Sequence, residues 1–261
     1  MKKTALVTGG SSGLGFALAQ NLAKQGYNIA VVARNQEKLN TTVTALTALG
    51  ITAKGYSCDI TNEDGLKEVF NQVKTEFGSI DYLVLNAGSV TTKLVADYAN
   101  GAEMKKDLEV DLWGTILSAF IFLPLLKSGS KVIMISSGFG LMGAAGYSMY
   151  CAAKAGIINF GESLRRELLG KGINVYVATP GDMDTPQFHE EVKNSPEWMK
   201  TGSPRKTLKA DDVAAKILNQ AQGHKKYLIV PSGDVNSLVI LSKLLPRKFR
   251  DSLLDKMFPR P

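Results

Sequence analysis

Thr4-Ala5-Leu6-Val7-Thr8-Gly9-Gly10-Ser11-Ser12-Gly13-Leu14-Gly15 is the stretch whose reading decides the fold. The apolar run at 5–7 reads as a buried strand, and Leu14, Leu18 and Leu22 recur at helical period over 14–25. Between them the chain turns on glycine. Glycine allows a sharp turn with positive φ and lets a phosphate group approach the backbone N–H groups at a helix N-terminus. Gly9, Ser11, Ser12, Gly13, Leu14 and Gly15 are therefore candidate pyrophosphate contacts. A glycine-rich loop without a ligand is the competing reading, because the spacing departs from G-x-G-x-x-G and the Lys-Ser/Thr of a P-loop is absent.

Outward from that turn, short apolar runs alternate with helical patterns of a dozen residues or more. Strands are expected at 5–7, 28–33, 52–57, 82–85, 131–136 and 174–178, with a seventh at 227–230 after a long insertion. Such alternation predicts an α/β fold: one domain over 1–234, a doubly wound, seven-stranded parallel sheet of Rossmann type with helices on both faces. Helices are expected at 14–25, 35–49 and 103–126. The last becomes apolar all round after Asp111, which buries it between the sheet and another helix or another subunit.

Of the 261 residues 44% are hydrophobic and 21% charged, which excludes a disordered chain. No uncharged apolar run reaches 18 residues, so a spanning helix is not expected. Two cysteines, Cys58 and Cys151, make no disulfide framework, and Met1-Lys2-Lys3 leads straight into a strand without a signal core, so a cytoplasmic location is expected. The net charge of +7 would suit a polyanion. Yet 12 of the 31 basic and five of the 24 acidic residues fall in 201–261, so the whole excess sits there and the first 200 residues are neutral.

Several residues at expected strand ends carry chemistry. Arg34 and Asn35 follow the second strand where a dinucleotide fold often has an acid; a cation there favours the 2′-phosphate of NADP over the hydroxyl of NAD. A solvated Arg is the alternative. Asp59-Ile60 and Asn86-Ala87-Gly88 end the third and fourth strands, as ligand contacts or as turns. The fifth runs into Ser136-Ser137, and the next helix carries Tyr150 and Lys154 one turn apart. A cation within about 4–6 Å lowers a phenol's pKa from its usual value of about 10, so such a tyrosine can give a proton to a carbonyl oxygen. Ser137 could hydrogen-bond the same oxygen, while Ser136 points to the other side of the strand. No metal site is assigned.

Thr8-Gly9-x-x-x-Gly13-x-Gly15, Asn86-Ala87-Gly88, Ser137, Tyr150-x-x-x-Lys154 and Pro180-Gly181-x-x-x-Thr185 resemble, in order and spacing, the motifs of the short-chain dehydrogenase/reductase family over residues 3 to about 186. The resemblance implies an NADP(H)-dependent oxidoreductase with Tyr150 as acid/base. It implies that Lys154 lowers the pKa of Tyr150 and holds the nicotinamide ribose, that Ser137 orients the carbonyl, and that Pro180, Gly181 and Thr185 lie near the carboxamide. Tyr147 is expected to line the substrate pocket. The family usually has Asn where this chain has Asp111. Asp111 either keeps the family's proton relay or pairs with a nearby cation.

A lid is expected over about 182–205, carrying Met183, Phe188, Trp198 and Met199. An apolar lid suits an elongated substrate, unless it merely packs on the body. The loop 180–191 resembles that of 3-ketodihydrosphingosine reductases, which implies a long-chain amino-ketone, with Asp182 or Asp184 meeting its ammonium and Met183 and Phe188 its chain. The expected activity is reduction of a ketone to a secondary alcohol, on that lipid-like substrate or on another small or acyl ketone. A non-enzymatic NADP-binding sensor is the alternative. The tail 235–261 contains an amphipathic basic stretch at 246–258, which suits an anionic membrane surface or packing on a subunit. It lacks the aromatic interleaving of a nucleic-acid binder. The helices at 103–126 and 149–169 resemble the family's dimer-forming pair, so a homodimer or homotetramer is expected.

Overall fold

The structure, a computed structural model, describes residues 2–200, 206–222 and 227–231, together with Pro246 and Phe249. Apart from those two residues, the tail readings over 235–261 lie outside the described residues, as does the end of the lid at 201–205.

Strands β1 (Thr4–Thr8), β2 (Asn28–Ala33), β3 (Ala53–Ser57), β4 (Ile80–Leu85), β5 (Leu126–Ile135) and β6 (Asn174–Ala178) alternate with α1 (Gly13–Lys24), α2 (Gln36–Thr47), α3 (Glu63–Phe77), α4 (Gly101–Leu108), α5 (Gly114–Phe122) and α6 (Ser148–Leu168). The lid segment holds β7 (Met183–Asp184), α7 (Pro186–Asn194), α8 (Glu197–Lys200) and β8 (Leu208–Lys209), with β7 paired to β8. Then follow α9 (Ala210–Gln222) and β9 (Leu228–Ile229). The main sheet has seven parallel strands in the order β3-β2-β1-β4-β5-β6-β9, as the alternation predicts.

The period of two along each strand sorts the core into two layers. Ala5 and Val7 of β1 join Leu14, Leu18 and Leu22 of α1, Leu39 and Leu46 of α2, and Ile217 of α9. Leu6 faces the opposite layer, with Leu66 and Val69 of α3, Phe122 of α5 and Ile157 of α6. Burying each such side chain contributes about 1.5–3 kcal/mol. Polar residues set the helix starts: Asn35, Asn62 and Asn100 cap α2, α3 and α4, accepting from the N–H groups of Lys38, Gly65 and Glu103.

Two elements differ from the sequence reading. The continuous helix expected at 103–126 is interrupted by a π turn at Glu109–Trp113 between α4 and α5. The one-residue insertion of a π turn changes which side faces the sheet. Accordingly α4 buries none of its residues, while α5 buries seven. By length and apolarity Gly101–Leu125 could cross a membrane, but half of its apolar window is buried in the fold. β5 also starts earlier than its apolar run. Its register against β4 shifts between Ile80 and Tyr82, and Ser130 Oγ fills the gap by accepting from Lys127 N and donating to Ile80 O.

Candidate active site

A groove of about 330 Å³ opens at the carboxyl ends of the central strands, where the chain order reverses between β1 and β4. The glycine turn forms part of its lining. Gly9 has φ +64°, its N–H donates to Val32 O at 2.7 Å, and a Cβ there would lie 2.7 Å from Ala87 Cα. Gly15 is closed to any side chain, since a Cβ would lie 2.3 Å from Gly9 O. Gly15 therefore shapes the turn from beneath and is not in the groove lining, unlike Gly9, Ser11, Ser12, Gly13 and Leu14. Asn86 and Ala87 brace the turn: Thr8 Oγ1 accepts from both of their N–H groups, and Asn86 Nδ2 donates to Thr8 O and Gly9 O. Ser12 stands at the N-cap of α1 without a side-chain capping bond, and no acid lies in the first turn. The first-turn N–H groups thus meet no side-chain acceptor, which is the condition for receiving an anion. The cradle fits a dinucleotide pyrophosphate.

Arg34 and Asn35 both line the groove. Asn35 caps α2, and Arg34 is 70% exposed with the Asp59 carboxylate 3.9 Å away. Asp59 is itself tied by the Thr61 N–H and hydroxyl, both donating to Oδ1. Ile60, Gly88, Pro180, Gly181 and Thr185 also face the groove. Thr185 caps α7, accepting from Phe188 N–H, and its Cγ2 would be 3.3 Å from a Cβ on Gly13. The first turn of the lid therefore sits over the glycine turn.

Ser137, Tyr150 and Lys154 meet on one wall. The Ser137 hydroxyl accepts from Phe139 N–H at 3.2 Å and acts on the Tyr150 phenol. Ser136 instead donates to Lys154 O at 2.7 Å, spending its hydroxyl on the α6 backbone. Lys154 Nζ lies 5.3 Å from the Tyr150 ring centre and 2.9 Å from Asp111 Oδ1; the Lys154 and Asp111 side chains are 5% and 2% exposed. Of the two readings of Asp111, the geometry gives the ion pair. Asp111 lies behind Lys154, outside the groove lining.

Burial dominates the electrostatics. It pushes the Tyr150 phenol above its ordinary value, against the downward pull of Lys154 and Ser137, while Asp111 and Glu191 push it further up. The sequence reading had Lys154 lowering it; the pull exists but does not prevail. Burial also raises the Asp111 carboxyl, which Lys154 pulls back. For Lys154, burial works against the charge, but Asp111 and Tyr150 together outweigh it and hold the ammonium above its usual range. The wall can present a protonated phenol, a serine hydroxyl and a fixed cation to one oxygen atom.

Tyr147 is not where the sequence placed it. It is buried behind Phe139, with ring centres 4.6 Å apart, and its hydroxyl donates to Glu191 Oε1 at 2.6 Å. Phe139 and Glu191, not Tyr147, reach the groove. Asp182, Met183 and Phe188 line it, whereas Asp184 is 65% exposed and pairs with His189 outside the lining.

The sequence matches the short chain dehydrogenase family over residues 3–196. The chain belongs to that family. Among curated relatives of this short-chain dehydrogenase, the 3-oxoacyl-[acyl-carrier-protein] reductase FabG of Staphylococcus aureus is 33% identical, covering 90% of this chain and 97% of the relative. The 11-beta-hydroxysteroid dehydrogenase-like 2 protein of Arabidopsis thaliana is 28% identical, covering 98% of this chain and 82% of the relative. A short chain dehydrogenase from Burkholderia cenocepacia, solved in complex with NADP, superposes with a TM-score of 0.80 at 28% identity, covering 90% of this chain and 98% of that one. The dehydrogenase is thus an oxidoreductase with a doubly wound sheet.

The groove also holds residues that sequence reasoning passed over. Lys38 stands in the first turn of α2, four residues past Arg34, and the cap at Asn35 that fixes that turn was the available signal. Glu191 follows Phe188 by three residues on α7, and i and i+3 share a helix face. Phe139 had no sequence signal of its own, because it reaches the groove through a 3₁₀ turn at Gly138–Gly140.

Proposed function

We propose that this short-chain dehydrogenase is an NADPH-dependent carbonyl reductase that converts a ketone to a secondary alcohol. The observation that carries the reading is the meeting of Ser137, Tyr150 and Lys154 on one wall of a groove whose lining also includes the glycine turn. The 3-oxoacyl-[acyl-carrier-protein] reductase named for the Staphylococcus relative and the NADP in the Burkholderia structure support it.

In this reading the α1 amides and the glycine turn hold the pyrophosphate, Lys154 holds the nicotinamide ribose, and Arg34 with Lys38 meets the 2′-phosphate. NADPH, when bound, supplies hydride to the carbonyl carbon. Ser137 donates to the carbonyl oxygen and fixes its position. The phenol O–H of Tyr150 breaks as the alcohol O–H forms, and the Lys154 ammonium faces the resulting phenolate. A phenol held above its ordinary value stays protonated through neutral pH, so reduction persists in mildly alkaline solution and falls as pH rises through the folded-state value.

The substrate we propose is an extended, apolar ketone, with a long-chain amino-ketone as the specific case. Met183 and Phe188 supply the apolar wall, and Asp182 and Glu191 put carboxylates beside it. The test is NADPH oxidation across ketones of increasing chain length, with and without a 2-amino group. Tyr150→Phe is expected to remove at least about 99% of the activity, on the 10²–10⁴-fold scale of general acid catalysis. Wild-type activity in that variant rejects the reading, and equal rates across the panel reject the substrate.

A further inference from the structure

Holding the nicotinamide ribose and facing the Tyr150 phenolate, the two roles proposed for Lys154, leave the partner of its charge without a purpose. Where the family pattern resembled by this sequence has a neutral Asn, Asp111 sets a carboxylate 2.9 Å from Lys154 Nζ. Three elements hold it there. The π turn Glu109–Trp113 carries the residue into the interior, 2% exposed. The Ser89 N–H reaches both carboxylate oxygens at 3.3 Å, and the Ser89 hydroxyl donates to Oδ2 at 3.4 Å. Gly88 leaves the room, since a Cβ there would lie 2.5 Å from Asp111 Oδ1 and 3.1 Å from Lys154 Nζ.

Among the described residues, the other charged groups that act on this centre are Asp107 on α4, on Asp111, and Glu191 on α7, on Tyr150. Both are acids. Lys154 is the cation among these interacting groups, and its ammonium is already in contact with a carboxylate. An isolated ammonium beside a phenol favours the phenolate; a paired one offers a much weaker net field, and the carboxylate itself repels the phenolate.

We propose that Asp111 is a positioning residue that neutralises Lys154, so that the acid poised at the carbonyl oxygen rests in its protonated, phenol form. The inference rests on Tyr150 being the acid. In each reductive turnover the Tyr150 proton goes to the product alcohol, and the phenolate takes one proton back from solvent before the next. Asp111 favours that recharging. It also moves to higher pH the phenolate form from which alcohol oxidation starts. Removing its charge while keeping its shape should therefore make the phenolate accessible at lower pH.

Asp111→Asn keeps the shape and restores the residue usual in the family. The experiment is an ultraviolet difference titration of tyrosinate formation without cofactor, comparing wild type, Asp111→Asn and Tyr150→Phe. The step missing from Tyr150→Phe identifies Tyr150 among the eight tyrosines. In Asp111→Asn that step is expected at lower pH than in wild type, and the pH profile of kcat/KM for alcohol oxidation should move the same way with little change in KM for the ketone. Coincident Tyr150 steps in folded wild type and Asp111→Asn overturn the proposal. A wild-type Tyr150 step below the ordinary phenol value of about 10 overturns it without any variant. If Tyr150→Phe stays active, the acid assignment falls on kinetic grounds alone, which the titration reports separately.

Discussion

The proposed preference for NADPH turns on Arg34 and Lys38, which line the groove. Arg34 extends into solvent with its nearest acid 3.9 Å away, too long for a strong pair, so its guanidinium is available to a phosphate. A charge-assisted contact contributes about 1.5–3 kcal/mol. Arg34→Ala is therefore expected to raise the Kd for NADPH about tenfold or more while leaving that for NADH near its wild-type value, measured by calorimetry on the two cofactors in parallel. Equal loss for both would place Arg34 outside the 2′-phosphate site. Arg34 was legible because the position after the second strand has chemical meaning on its own. Tyr150 and Lys154 were legible because four residues on a helix bring two side chains to one face. The contact between Asp111 and Lys154 came only as one of two readings that the family resemblance left open: it joins a π turn to α6 across 43 positions of sequence, and no periodicity encodes it.

Among the elements, the lid shows what local patterns omit. Apolar runs and glycine turns located the sheet strands, since burial on both faces demands continuous apolar residues there. The lid helix α7 buries none of its residues; Thr185 at its N-cap sets its methyl over the glycine turn, and Glu191 accepts from the buried Tyr147 hydroxyl. Its placement follows from partners distant in sequence. Removing the Tyr147 hydroxyl takes away a donor to a charged acceptor, a contact of about 1.5–3 kcal/mol. Tyr147→Phe is accordingly expected to raise KM for the ketone about tenfold with a smaller effect on kcat, and to speed proteolysis within 186–200. Unchanged KM and proteolysis would show that α7 is held by other contacts.

For the whole molecule the question is what covers the outer side of α5. The sequence showed a segment apolar all round, and the structure divides it. Leu117, Phe122 and Ile121 go under the sheet with α3 and α6, while Trp113 is 50% and Phe120 65% exposed. Those two stand seven residues apart, with the partly buried Ile116 between them at helical spacing, so they form one outward stripe. A single exposed aromatic is ordinary; a stripe on an apolar helix is the signature of a covered face. We expect a second copy of this chain to cover it, because the stripe needs only an apolar counterpart and a two-fold axis lets the same surface supply one. The π turn that carries Asp111 also carries Trp113, so the exposed stripe and the buried ion pair share one element. Phe120→Glu places a charge in that contact and is expected to convert a dimer or tetramer to monomer in sedimentation velocity, with a fall in activity that steepens on dilution. The charged surface should raise the solubility of the folded monomer. A wild-type chain that sediments as a monomer at micromolar concentration would leave the stripe to another partner and separate the catalytic wall from assembly.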